Sequence, residues 1–235
     1  MAKGKQCFHA RIDADLRTPL QSALLKAMSK TPDLQSAYAL ETPDDNRALY
    51  RDWAATYDSA FVDASGYVLH MHVARAFHAA GGKGQILDIG AGTGIVGVVL
   101  KSLGYDDVHA TDISPEMLNV AKEKGVYSNL FASDILQGLK VADNSYAGIV
   151  SAGTFTLGHV GPSALNEVIR LLTPGGLAVI SVRDAHWHAE DFAGMVASLE
   201  PKLADWSTTQ VPIYQNSPDP GHAKDRALLL HLTKR

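Results

Sequence analysis

The chain has little cysteine, few charges and no long apolar run. Its one cysteine, Cys7, has no internal disulfide partner, which excludes a cystine-stapled scaffold and points to a reducing compartment. Charged residues make up 20% of the sequence, with 21 Lys and Arg against 25 Asp and Glu. No block of basic residues occurs, so the positive footprint that nucleic-acid binding requires is missing. No stretch is long and apolar enough to cross a bilayer, and residues 1–10 lack the apolar core of a secretion signal. These absences favour a cytoplasmic protein that acts on a small molecule, with neither nucleic acid nor membrane as partner. There is no internal repeat, no low-complexity segment and no clear cluster of metal-ligating side chains.

What is present suits a globular chain. Of 235 residues, 46% are hydrophobic, which is enough for one full core with roughly forty to eighty residues left for appendages. Residues 1–10 read as an arm. Thr18-Pro19 opens a helix with Leu20, Leu24, Leu25 and Met28 on one face, and Thr31-Pro32 ends it. That face either packs on the domain or forms a dimer contact, so the chain is expected to be a monomer or a homodimer. After a turn at Thr42-Pro43-Asp44-Asp45, the segment from Arg47 carries Tyr50, Trp53, Ala54 and Tyr57 at helical spacing. Trp53 and Tyr57 share a face and serve either as core or as a lid. The division is therefore an arm and helical extension over 1–46 and one domain over 47–235. A helix over about 66–80 follows, whose His70 and His72 point to different faces and do not form a metal pair.

The stretch Ile86-Leu87-Asp88-Ile89-Gly90-Ala91-Gly92-Thr93-Gly94 passes from a buried strand through a glycine turn into a helix starting at Ile95. Glycine tolerates positive φ and close ligand approach, and the helix start offers unpaired N–H groups, so a nucleotide-like cofactor is the natural occupant. Gly92, Gly94 and Gly97 also satisfy the G-x-G-x-x-G pattern of dinucleotide sites. Asp88 tips the choice. A carboxylate there would repel a pyrophosphate and attract an amino-acid ammonium group, which S-adenosylmethionine carries. Asp112 ends the next strand, Val108–Asp112, where an acid can accept both ribose hydroxyls in either cofactor class.

The pattern beyond is regular. Ser114-Pro115-Glu116 caps a helix that Gly125 stops, and Asn129–Ala132 is a short third strand. Tyr146–Ala152 is the fourth strand and Leu177–Val182 the fifth, separated by a helix from Pro162 and a turn at Pro174-Gly175-Gly176. A helix near Glu190–Leu199 precedes two extended segments, about 207–214 and 227–233, best placed antiparallel at one edge. The fold class is α/β: a Rossmann-like doubly wound sheet, mostly parallel with an antiparallel edge strand, plus an N-terminal helical extension. Its binding crevice lies at the carboxyl ends of the strands.

Taken together, Leu87–Gly94, Thr111–Leu118, Ser133-Asp134-Ile135 and Leu172–Gly176 resemble, in order, the motifs of class I S-adenosylmethionine-dependent methyltransferases. Tyr50–Asp58 and Gly153–Val160 are similar to the Williams-Beuren syndrome region group and its bacterial relatives, although that group usually has an acid where Arg51 stands. The resemblance implies a class I methyltransferase fold with S-adenosyl-L-methionine as cofactor. In that reading Gly90, Gly92 and Gly94 pass beneath the methionine portion, with Asp88 near its ammonium group. Asp112 takes the ribose hydroxyls, Ile113 packs on the adenine, and Asp134 accepts from the adenine amino group beside the Ile135 backbone. Ala152 or Gly153 offers a carbonyl to the ammonium, and Tyr57 closes the site.

Methyl transfer to an O, N or S atom of a small molecule would need positioning, exclusion of water and, for a protonated acceptor, a base. His159, in the loop after the fourth strand, is the candidate, and His186, Trp187 and His188 are a weaker acceptor-pocket possibility. No metal is implied. Two other readings compete: an NAD-dependent Rossmann oxidoreductase, and a non-catalytic S-adenosylmethionine-binding or scaffold protein.

Overall fold

The structure is a computed structural model and describes Leu49 and residues 53–235. The expectations placed on Cys7, the helix at 18–32, the turn at 42–45, Tyr50, Arg51 and the boundary at 46/47 lie outside the described residues.

Seven strands form one sheet in the order β3-β2-β1-β4-β5-β7-β6. They are β1 (Ile86–Ile89), β2 (Val108–Asp112), β3 (Asn129–Ala132), β4 (Tyr146–Phe155), β5 (Leu172–Arg183), β6 (Leu203–Pro212) and β7 (Arg226–Lys234). The first five pair in parallel. The last strand, β7, runs antiparallel to both β5 and β6 and lies between them. This gives the expected antiparallel edge, and the reversed β7 departs from the 3-2-1-4-5-6 order of dinucleotide folds. Every residue of β1 is buried, as a central parallel strand covered on both faces requires.

Among the described residues six helices flank the sheet: α1 (Leu69–Ala79), α2 (Ile95–Ser102), α3 (Pro115–Glu123), α4 (Leu165–Leu171), α5 (Asp184–Ala189) and α6 (Phe192–Leu199). Alternation along the strands sorts the core into two layers. Ile86, Val150, Val179 and Leu229 face Val73 and Phe77 of α1 and Val96 and Leu100 of α2. Leu87, Ile149, Ile180 and Leu230 face Leu165 and Val168 of α4 and Phe192 and Val196 of α6. A fully buried phenylalanine such as Phe77 or Phe192 contributes about 2–3 kcal/mol of hydrophobic stabilisation. Among the described residues no helix is long and apolar enough to cross a membrane.

Three local features differ from the sequence reading. β4 continues past Ala152 to Phe155, because a register shift beyond Ser151 keeps it paired with β5. Pro174-Gly175-Gly176 is absorbed into β5 as an irregularity, where the pairing steps from Tyr146 with Leu172 to Gly148 with Leu177. The helix expected near 190–199 is α6, and a short helix not expected from sequence, α5, precedes it; Asp191, with φ of 50°, separates the two and caps α6 by accepting from the Gly194 amide at 3.0 Å.

Candidate active site

The loop between β1 and α2 is fixed by backbone bonds before any ligand is considered. The Gly90 and Ala91 amides donate to the Thr111 carbonyl at 2.8 and 3.0 Å, and the Gly94 amide donates to Ala91 at 2.8 Å. Two of its glycines are required for different reasons. A Cβ on Gly90 would fall 1.9 Å from Thr154 Oγ1, so this glycine makes room for β4. A Cβ on Gly92, where φ is 54°, would meet no atom within 4 Å. It would project into open space, as a position kept bare for a ligand would.

That space is a cleft at the carboxyl ends of β1, β2 and β4, where an open α/β sheet places its ligands. β1 and its loop contribute Ile89, Gly90 and Gly92; β2 and the turn after it contribute Thr111, Asp112 and Ile113. The turn after β3 contributes Ser133, Asp134, Ile135 and Leu136; β4 and its loop contribute Ala152, Gly153, Thr154, His159 and Val160. Met117 of α3 and Tyr57 from the N-terminal side complete the wall. The cleft thus brings together Tyr57, Gly90, Gly92, Asp112, Ile113, Asp134, Ile135, Ala152 and His159 of the residues selected from sequence.

Asp88 and Gly94 do not line it. Asp88 shares the face of Ile86 on β1 and is completely buried. Its Oδ2 accepts from the Tyr127 hydroxyl at 2.7 Å, and its Oδ1 has no partner. Burial, and to a smaller extent the nearby Asp112, push its carboxyl up to about 7, against the lowering effect of Tyr127. The reason sequence placed Asp88 in the site is that it adjoins the glycine loop in the chain; strand alternation turns its side chain away.

Asp112 ties the glycine loop to the turn after β2. Its Oδ2 accepts from the Gly92 amide and its Oδ1 from the Ser114 amide, both at 2.8 Å. Burial raises its carboxyl above the ordinary value, and those backbone donors oppose the rise. Each oxygen retains a second lone pair, so it can accept a further hydroxyl. Asp134 caps the short turn Ile135–Gln137 by accepting from the Leu136 amide at 2.9 Å. Thr111 Oγ1, also on the cleft wall, is buried without a partner.

His159 Nδ1 lies 3.1 Å from the Leu157 carbonyl. A carbonyl only accepts, so in the neutral ring the proton sits on Nδ1 and the basic lone pair on Nε2. Burial lowers its pKa, with the Leu157 contact opposing and His186 reinforcing the shift. The three residues considered for an acceptor pocket fall elsewhere. His186 is buried with Nε2 2.9 Å from the Val160 carbonyl, Trp187 stacks on Phe192, and His188 sits on the surface near Asp184. Trp53 and Tyr57 part in their surroundings. Trp53 is 1% exposed and packs edge-on against Tyr57 at 5.1 Å, while Tyr57 alone reaches the cleft.

Sequence reasoning missed Thr111, Met117 and Thr154 as wall residues, although each lies inside a stretch singled out for its motif. It also missed a clasp outside the cleft. Asp58, adjacent to Tyr57, accepts from Thr93 Oγ1 and from Lys124 Nζ, each at 2.5 Å, and the same ammonium donates to the Thr93 carbonyl at 2.5 Å.

Residues 86–176 match the family described as "Methyltransferase domain". The chain is 31% identical over 99 residues to methyltransferase-like protein 27 of Homo sapiens, covering 42% of this chain and 40% of that protein. It is 32% identical over 143 residues to the demethylmenaquinone methyltransferase of Chlorobaculum parvum, covering 57% of this chain and 58% of that one. The matched part thus spans about half the length of these curated relatives. A TehB-like SAM-dependent methyltransferase from Corynebacterium glutamicum shares the fold, with a TM-score of 0.55 at 24% identity over 82% of this chain and 100% of that chain. The methyltransferase-domain match thus runs from β1 through the glycine loop and the acid ending β2 to the start of β5.

Proposed function

We propose that the cleft binds S-adenosylmethionine and that the chain transfers a methyl group to an O, N or S atom of a small-molecule acceptor. The supporting observation is that the bare side of Gly92, the Asp112 carboxylate and the Asp134 turn converge on one cleft. The residues fit the cofactor. Asp112 would accept the ribose hydroxyls, Ile113 and Ile135 would flank the adenine, Asp134 would accept from its amino group, and the carbonyls near Ala152 would receive the ammonium. When bound, the cofactor supplies a methyl group already activated as an electrophile by its sulfonium.

Within this reading, Tyr57 covers the site and excludes water. His159 takes the acceptor's proton on Nε2, and its lowered pKa keeps it unprotonated at neutral pH. Leu136, exposed on the cleft wall, suits an acceptor with an apolar portion. The similarity of residues 50–58 and 153–160 to the Williams-Beuren region group belongs to the same proposal.

Calorimetric titration with S-adenosylhomocysteine and with NADH tests the cofactor. Binding of the first alone supports the proposal, and binding of NADH alone overturns it. Incubation with methyl-labelled cofactor and a broad metabolite panel tests the transfer. Tight cofactor binding with no labelled product would favour a non-catalytic role.

A further inference from the structure

We infer that Tyr127 is a positioning residue that locks the cofactor loop by joining Asp88, before the loop, to the Gly97 amide, after it. Tyr127 lies in the connection between α3 and β3, outside every motif of the sequence, and does not line the cleft. Its hydroxyl donates to Asp88 Oδ2 at 2.7 Å and accepts from the Gly97 amide at 3.1 Å. Gly97 stands in the first turn of α2, where amides lack intrahelical acceptors, so one hydroxyl both caps the helix and donates to one oxygen of the buried acid.

The ring is fitted to the loop as closely as the hydroxyl. A Cβ on Gly97 would fall 2.4 Å from Tyr127 Cζ, and one on Gly94 would fall 2.9 Å from its Cε2. The last two glycines of the G-x-G-x-x-G pattern are therefore notches for a tyrosine. This removes the feature that made the sequence look like a dinucleotide site. It also gives Asp88 a task that needs no contact with ligand, since loop geometry and the sign of charge beneath the loop both pass through the Tyr127 bond.

The groups acting on Asp88 are few. Tyr127 from the α3–β3 connection lowers its pKa, and Asp112 from β2 raises it. Lys124 meets the loop at Thr93 but is paired with Asp58. An ionised Asp88 favours a nearby ammonium, so cofactor affinity should strengthen as pH rises through the Asp88 titration. Removing the hydroxyl takes away the one donor that favours ionisation and moves that titration upward.

The inference rests on the proposed cofactor, so the test separates the two. Affinity for S-adenosylhomocysteine is measured by calorimetry from about pH 5.5 to 9 for the native chain, Tyr127→Phe and Asp88→Asn. The exchange rate of the Gly97 amide is measured by NMR on cofactor-free native chain and Tyr127→Phe. The expected result is affinity about tenfold weaker in Tyr127→Phe at neutral pH, with its inflection moved to higher pH. Asp88→Asn should show no inflection, and the Gly97 amide should exchange faster without the hydroxyl. An unchanged pH profile with unchanged amide exchange overturns the inference. So does a pH-independent loss of affinity that merely follows a loss of thermal stability. If the native chain binds no S-adenosylhomocysteine, the cofactor proposal fails, and Gly97 exchange alone decides whether Tyr127 locks the loop.

Discussion

Lys124 Nζ lies 2.5 Å from Asp58 Oδ2, a pair 66 residues apart in sequence that fastens the segment carrying Tyr57 to the glycine loop. Asp58 is partly exposed and Lys124 more covered, so the pair is worth little as bulk stability. Its value lies in where it holds Tyr57. Asp58→Asn is expected to weaken S-adenosylhomocysteine binding about threefold at low ionic strength, and the difference from the native chain should shrink at high salt. Titrations at two salt concentrations check this, and exchanging the charges in an Asp58→Lys, Lys124→Asp double variant should recover part of the loss.

The glycines at 90 and 92 should fail differently when replaced. Gly90→Ala forces a methyl against Thr154 and is expected to lower Tm by about 5–15 °C, the overpacking cost of a filled interior. Gly92→Ala meets no protein atom but is strained at φ of 54°, so it should lose some stability too, with its larger effect on affinity. Scanning calorimetry and ligand titration on both variants measure the contrast, and matching losses in both would show that Gly92 does not face the ligand.

Asp112 joins the Gly92 and Ser114 amides and has lone pairs left for a ribose. Asp112→Ala should weaken cofactor binding about ten- to a hundredfold through the loss of charge-assisted bonds. Circular dichroism should remain native. An affinity within twofold of the native chain would move the ribose elsewhere.

The proposed base, His159, would act only when unprotonated, and burial sets its pKa below the ordinary histidine value. Once a methyl acceptor is in hand, turnover should be flat at neutral pH and fall as pH drops through that lowered pKa. His159→Ala should reduce turnover about a hundredfold with cofactor affinity unchanged. Equal losses in both would make it a structural residue.

Asp88 makes the cofactor-free fold sensitive to pH. Its carboxyl is raised to about 7, so the folded chain holds a proton that the unfolded chain releases at lower pH. That contribution is complete below the unfolded value and is lost as pH rises toward about 7. Half-buried Asp112, whose carboxyl is also raised, acts with the same sign, so the informative quantity is the difference between the native chain and Asp88→Asn. Tm measured across this range should fall more for the native chain than for the variant.

Much of this protein was legible in one dimension. The apolar run into glycines, the Ser114-Pro115 helix start and the Asn129–Ala132 strand are local patterns, and local patterns fix local structure. Asp112 ends β2, Ile113 follows it, and Asp134 and Ile135 lie in the turn after β3, so their place on the cleft wall was readable from the rule that strand ends in an open α/β sheet surround its crevice. Tertiary structure alone decided the direction of side chains and long-range partners. It turned Asp88 from the cleft to a tyrosine 39 residues away, and it assigned Gly97 to that ring. It also put Trp53 in the core while leaving Tyr57 at the cleft, and closed the Asp58–Lys124 clasp. The physical reason is common to all four. Spacing along a chain sets the period of an element, whereas what a side chain meets depends on which distant element packs against that face.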